Sequence, residues 1–311
     1  MIIYTDDITY AGQLVPDASH WRSINPGDVA ETLRPLVTEL FPEVDISYTE
    51  VSNNGPWQNL FVTKHAERSQ YDVFSGLCER GIPLPDHTLC MADSGRKFHG
   101  FKNRSWVSLP GNIHLVAYLE PRQELAHVGV GFIVMAVAAV LQALDGVEGL
   151  SGRAAVKWVN DIMIDDAKVC GVLANSQMQG TRVDGAIIGI GLNVESAPEV
   201  VPDLFVSRAA CLRDFVTAAA SCHVGEVFRM LNVALDKMYR CYCDGGYGEL
   251  IRMYRDRSAI ISKTVSIRVD KVGVAPDEII SGRVQKIGDN LELYLENHPE
   301  PISTGRLIIK N

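Results

Sequence analysis

The chain has 311 residues, of which 47% are hydrophobic and 22% charged. That is one large domain or two small ones of ordinary globular composition, which excludes disordered and fibrous classes. The net charge is −9, which argues against neutralising nucleic-acid phosphates over a broad face. Residues 1–60 hold nine acids (Asp6, Asp7, Asp17, Asp28, Glu31, Glu39, Glu43, Asp45, Glu50) against Arg22 and Arg34, so no DNA reader is expected there. The seven cysteines, Cys78, Cys90, Cys170, Cys211, Cys222, Cys241 and Cys243, are odd in number and scattered. They read as reduced thiols of a cytoplasmic protein rather than a disulfide framework. No Cys or His pairs fall at zinc spacing, and the N-terminus lacks the basic region of a signal peptide.

In chain order, residues 1–60 read as an N-terminal extension of unassigned role, punctuated by Pro16, Pro26, Pro35, Pro42 and Pro56. The spacing of Val29, Leu33, Leu36, Val37 and Leu40 predicts a helix over 26–40 that must accommodate Pro35. A loop follows at 53–59. Strands are predicted at 59–64, 88–92 and 113–119, with a helix at 70–80 and a polar, basic loop at 94–105. Residues 128–141 carry no charge. Fourteen helical residues rise only about 21 Å, short of a bilayer core of about 30 Å, so this is a buried core helix and no membrane is expected. Strands at 154–159, 162–164, 169–177 and 186–194, separated by short turns, predict an antiparallel meander. From 207 to 254 the period is helical, stopping at Gly245 and Gly246. Beyond 258 short strands at 263–269, 280–287, 290–296 and 306–310 predict a small separate barrel. The domain reading is therefore 1–60, 61–255 and 256–311.

Several nucleotide and hydrolase signatures are absent: no G-x-x-x-x-G-K-[ST], no complete dinucleotide glycine fingerprint around Gly189 and Gly191, and no G-x-S-x-G. What stands out is the 94–105 loop. It holds Arg96, Lys97, Lys102 and Arg104, two glycines and no acid, a composition suited either to a solvated surface or to polyphosphate. Lysine-bearing strands follow. Lys157, inside the apolar run AAVKWV, must snorkel or find an anion. Gly171, close after Lys168, lets a ligand approach the backbone.

These residues resemble the biotin protein ligases of the biotin/lipoate ligase superfamily. The resemblance rests on Lys157-Trp158-Val159-Asn160-Asp161, then Lys168-Val169-Cys170-Gly171-Val172-Leu173, then Gly189-Ile190-Gly191-Leu192-Asn193-Val194. These follow a basic loop ending at Trp106, the stretch Leu109-Pro110-Gly111-Asn112-Ile113, and an altered opening, Ser69-Gln70-Tyr71-Asp72. It covers roughly residues 60–311. It implies an α+β fold with a mixed, largely antiparallel sheet of the class II synthetase-like kind, followed by an SH3-like barrel. It also implies ATP and Mg²⁺ as cofactors, biotin as the acid substrate, a biotinyl-adenylate, and a biotin carboxyl carrier-type domain as partner. Lipoate or octanoate is the alternative acid, and a non-catalytic acyl or nucleotide sensor the alternative function. Three roles stay open to residues 1–60: packing on the core, shaping the carrier dock, or self-association.

By the same resemblance Lys168 contacts the acyl carbonyl and the α-phosphate, with Lys157 and Asn160 in support. Ser69, Gln70, Tyr71, Arg96, Gly171 and Leu173 are placed at the acid. Lys102, Arg104, Trp106 and Asn193 are placed at the nucleotide, and Asp161 at the metal. The residues themselves leave other readings open: Ser69 can cap the following helix, and Trp106 suits a core position equally well. The loop has two registers. Counted back from Trp106, Phe101 stands where the family's adenylate-restraining arginine falls. Anchored on Ser94-Gly95-Arg96, one arginine is kept at the expense of an insertion.

Overall fold

The computed structural model describes residues 1–42, 44–52, 55–199, 205, 208–218, 222–268 and 279–309. Its N-terminal part supplies β1 (Ile2–Thr5), α1 (Ile8–Leu14), β2 (Arg22–Ile24), α2 (Arg34–Leu40) and β3 (Ile46–Glu50). Next come β4 (Asn59–Ala66), α3 (Gln70–Glu79), β5 (Thr88–Gly95), β6 (Ile113–Leu119), β7 (Gln123–Glu124) and α4 (Val128–Asp145). The expected meander is β8 (Ala154–Lys157), β9 (Asp161–Ile164), β10 (Ala167–Gln179) and β11 (Arg182–Leu192). Helices α5 (Val224–Cys243) and α6 (Tyr247–Asp256) precede β12 (Thr264–Arg268), β13 (Ile279–Ile287), β14 (Leu293–Leu295) and β15 (Arg306–Ile309).

Eleven strands form one sheet in the order β2-β3-β1-β4-β5-β6-β11-β10-β9-β8, with β7 also on β11. The pairs β1·β4 and β4·β5 are parallel and the rest antiparallel, so the sheet is mixed and largely antiparallel as expected. Strand periodicity divides its side chains between two cores. Leu60, Val62, Leu89, Met91, Leu115 and Ala117 face the α4 side. Phe61, Cys90, Val116 and Tyr118 face the α2 and α3 side, with Leu36, Val73 and Phe74. Helix α4 is buried along most of its length between the sheet and α5, as an apolar helix of this kind must be.

Three expectations change. The helix over 26–40 is a short 3-10 turn at 26–28 and then α2, because Pro35 stands in the first turn of α2, where its missing N–H costs nothing, rather than in the middle of a longer helix. Helical structure at 207–254 begins in earnest at Val224: within the described part, 212–215 is one 3-10 turn and 216–218 is not helical. The strand at 154–159 stops at Lys157, and Trp158 and Val159 lie in the turn to β9. The C-terminal segment, expected as a small SH3-like barrel, forms a four-stranded antiparallel sheet among the described residues, β14-β13-β12-β15. Its Val265, Ile267, Val284 and Leu293 join the same core as α4.

Residues 1–60 build three strands of the main sheet and pack α1 against α5. The Asp7 carboxylate caps α1 by accepting from the Tyr10 N–H at 2.8 Å. At Gly225 a Cβ would overlap the Gln13 carbonyl oxygen, so α5 meets α1 backbone to backbone. Gly225→Ala is expected to lower the free energy of unfolding by about 2 kcal/mol or more. An unchanged urea midpoint would show that α1 is not held where it lies here.

Candidate active site

On one face at the middle of the sheet, three of the four paired positions of β10 and β11 are glycines. In the β10·β11 ladder Gly171 stands opposite Gly191, and Leu173 opposite Gly189. Aromatic rings occupy the space. A Cβ on Gly191 would lie 2.7 Å from Cε2 and Cζ2 of Trp106, and one on Gly189 would lie 2.9 Å from Cδ2 of Tyr71. Tyr71 comes from the first turn of α3, and burial pushes its pKa up to about 12, so it stays a neutral ring. The Trp106 indole N–H donates to Nδ1 of His114 at 3.4 Å, and His114 Nε2 lies 3.2 Å from the Leu109 carbonyl oxygen. Burial drives the His114 pKa down to about 4 against the opposing effects of Leu109 and Asp93, so its neutral ring can accept from the indole.

Above this floor is a cavity of about 390 Å³. Its walls are the first turn of α3, the loop after β5, the ends of β9 to β11, and Arg306 from β15. Among the described lining residues the charges are Arg104, Lys168 and Arg306 against Asp161 alone. A net positive cavity in a protein of charge −9 suits an anionic ligand.

Lys168 opens β10 at an irregularity in its pairing with β9. Its backbone is fixed by N–H donation to the Arg208 carbonyl at 2.9 Å and acceptance from the Ala210 N–H at 3.1 Å. Its Nζ sits 2.6 Å from Asp161 Oδ1, both side chains less than a fifth exposed, and 5.7 Å from the Trp106 ring centre. It also comes within 3.4 Å of where a Gly171 Cβ would be, so the cation lies at the glycine floor.

Of the residues singled out in the sequence, Ser69, Gln70, Tyr71, Arg104, Trp106, Asn160, Asp161, Lys168, Gly171, Leu173 and Asn193 all line the cavity. Ser69 makes no side-chain cap bond to α3. The Asn160 amide donates to the Val172 carbonyl at 2.6 Å, tying the β8–β9 turn to β10. Two buried amides keep unused capacity: Gln70 Nε2 and Asn193 Oδ1 have no hydrogen-bond partner among the described residues. Both residues line the cavity, with these two atoms themselves buried in its wall.

Three residues lie elsewhere. Lys157 is buried and its Nζ donates to the Phe205 carbonyl, the polar partner that an apolar strand requires of it. Arg96 is exposed, 3.7 Å from Glu67. Lys102 is exposed at a positive φ of 59°, its Nζ 5.7 Å from the Phe101 ring centre. The loop turns inward at Phe98, which packs with Ala66, Ala92 and Trp106. Sequence reasoning did not find Phe98, His99, His114 or Arg306, which line the same cavity. Only Phe98 left a signal, as an apolar residue inside a basic loop.

Residues 84–193 match the model of the biotin/lipoate A/B protein ligase family. The bifunctional ligase/repressor BirA of Bacillus subtilis (strain 168) is 30% identical over 164 residues, 52% of this chain and 49% of that protein. The biotin–[acetyl-CoA-carboxylase] ligase of Paracoccus denitrificans is 35% identical over 101 residues, 32% of this chain and 41% of that one. The chain thus spans about half the length of the curated relatives it matches. A solved biotin protein ligase from Aquifex aeolicus in complex with biotin and ATP shares the fold, with a TM-score of 0.62 and 19% identity over 82% of this chain and 99% of that chain.

Gly191→Ala would push a methyl group to within 2.7 Å of the indole, so Trp106 has to leave the strand. ATP binding by calorimetry is expected to weaken about tenfold, roughly the size of a lost aromatic stacking interaction, with little change in unfolding midpoint. Unaltered affinity would remove Trp106 from the site.

Proposed function

From a chain whose residues 84–193 carry the domain of the biotin/lipoate A/B protein ligase family, we propose an ATP-dependent biotin–protein ligase. It activates biotin as biotinyl-5′-AMP and passes the acyl group to a lysine of a carboxyl carrier-type domain. The observation that carries this reading is the placement of Lys168. Its ammonium lies on the glycine floor in a net positive cavity, where two anionic reactants can be brought together.

In the first step a carboxylate oxygen of the acid bonds to the α-phosphorus, and the bond from that phosphorus to the bridging oxygen breaks, releasing pyrophosphate. Both reactants are anions, so a cation between them is worth most in the transition state. Lys168 supplies it, held in position by Asp161 at 2.6 Å. Arg104 and Arg306 add charge for the phosphates. In the second step the carrier amine attacks the acyl carbonyl and AMP leaves. Trp106 provides a face for the adenine, and Asn193 Oδ1 an acceptor for its amine. Gln70 Nε2 is a buried donor that needs an acceptor, which a ureido carbonyl offers and a hydrocarbon tail does not. This favours biotin over octanoate.

No cluster of three metal-ligating side chains occurs among the described residues. Magnesium arriving with ATP fits such a site, since it keeps phosphate oxygens and water as ligands. Asp161 is the carboxylate among the described lining residues that would hold it, and its chemistry is to neutralise phosphate charge. Lys157 and Asn160 act as braces, through Phe205 and Val172. We place the enzyme in the cytoplasm, on its seven free thiols. We assign no DNA-reading role to residues 1–60, whose strands are part of the ligase sheet.

Acid-dependent ATP–pyrophosphate exchange tests the reading with biotin, lipoate and octanoate side by side. Exchange is expected with biotin, and Lys168→Ala is expected to reduce it by about 10²–10³-fold in folded protein. No exchange with any acid, from protein that binds ATP, would instead support a non-catalytic sensor. Arg104→Ala should raise the KM for ATP about tenfold, the loss of one charge-assisted contact, whereas exposed Lys102→Ala should change it much less. Equal effects would mean that the loop tip, not the cavity wall, meets the phosphates.

A further inference from the structure

Two walls of the cavity are joined by a pair that the proposed chemistry does not use. His99, in the loop after β5, meets Asp72, in the first turn of α3, with Nε2 2.7 Å from Oδ1. The other ring nitrogen, Nδ1, lies 3.2 Å from the carbonyl oxygen of Gly100. A carboxylate oxygen and a carbonyl oxygen only accept. In the imidazolium form both ring nitrogens can donate to these two acceptors at once.

The pair sits where closure of the loop is decided. The Trp106 N–H donates to the Phe98 carbonyl at 2.9 Å and the Gly100 N–H to the Arg104 carbonyl at 2.7 Å, while His99 and Ser105 form a bridge. The segment 98–106 is thus a small hairpin rooted by buried Phe98. On the other side, Ser69, Gln70 and Tyr71 line the cavity immediately before Asp72. Neither partner belongs to the floor: His99 and Asp72 are 22% and 43% exposed, at the rim.

We propose that His99 is a positioning residue, whose ion pair with Asp72 latches the 98–106 hairpin against α3 and closes it over the cavity. Given the ligase reading, the latch keeps the acyl-adenylate from solvent until a carrier lysine arrives. The other charges around the cavity are engaged elsewhere. Arg104 Nε donates to the Phe101 carbonyl, and Lys102 lies over the Phe101 ring. On the floor Lys168 is paired with Asp161, and from β15 Arg306 stacks on Phe205. From α3 the charge facing His99 is Asp72. Burial pulls the His99 pKa down, but the hydrogen bond to Asp72, that to Gly100 and the Asp72 charge outweigh it, and the net shift is upward from 6.5. A raised histidine pKa means a latch that is made on the acid side and lost as pH rises through that value.

Hydrogen–deuterium exchange of loop peptides spanning 96–106 in the full chain reads the latch directly. Wild type and Asp72→Asn are compared at the same pH, so the intrinsic exchange rate cancels. At about pH 6 the variant loop is expected to exchange roughly two- to fivefold faster, the range an exposed ion pair supports, and at about pH 8.5 the two should coincide. Equal rates at the lower pH, or the same ratio at both, would overturn the proposal. If Asp72→Asn also loosens α3, seen in its own peptides, His99→Ala leaves that helix intact and must give the same pattern; a loop exchanging as in wild type at the lower pH would equally overturn it. The measurement follows the loop and not the reaction. A missing pyrophosphate exchange would therefore remove the ligase reading and leave the latch in place.

Discussion

At the centre of the long sheet two antiparallel strands place Gly171 opposite Gly191, with Gly189 two residues along. These three glycines leave a gap on that face beside Leu173, and the site is organised around it. Trp106 and Tyr71 pack against the backbone there, and Lys168 brings its ammonium to the same surface. A single added methyl at Gly191 or Gly189 would meet a ring at less than 3 Å. The strands therefore supply a platform, and the other lining groups come from elements around it.

The rest of the fold serves to hold that platform still. The sheet is buried on both sides, by α4 with α5 on one and by α2 and α3 on the other, so strand register cannot slip without exposing a whole apolar set. Residues 1–60 strengthen this arrangement by adding β1, β2 and β3 to the sheet and packing α1 on α5. The C-terminal sheet shares the same core and sends Arg306 into the cavity wall. Ligand-facing charge thus comes from three separate segments, the loop after β5, β10 and β15, and converges only in the folded chain.

How much of this could be read from the chain depended on range. The meander, the buried helix and the pairing of Lys168 with a neighbouring glycine are local patterns, and the structure puts them where periodicity and turn residues predict. The first sixty residues carried little signal because β1, β2 and β3 are short and find their partners across the sheet: Ile2 pairs with Glu50 and with Asn59. Lys157 looked like a site residue because a lysine in an apolar strand needs a partner. It finds one in the Phe205 carbonyl, which spacing could not reveal. The loop register was unreadable because no arginine decides it. Phe98 fixes it by packing on Ala66 of β4 and Ala92 of β5, and His99 by reaching 27 residues back to Asp72.

In the ligase reading, one cavity on the glycine floor holds the acid and the nucleotide together, with Lys168 between them. Calorimetric binding of a non-hydrolysable biotinyl-adenosine conjugate, set beside biotin alone and adenosine alone, tests it most directly. A joined ligand that satisfies both ends of one cavity should bind about 10²-fold or more tighter than either piece, with the advantage reduced in Gly191→Ala. A conjugate that binds no tighter than biotin would contradict the claim, since the two halves would then not share the site described.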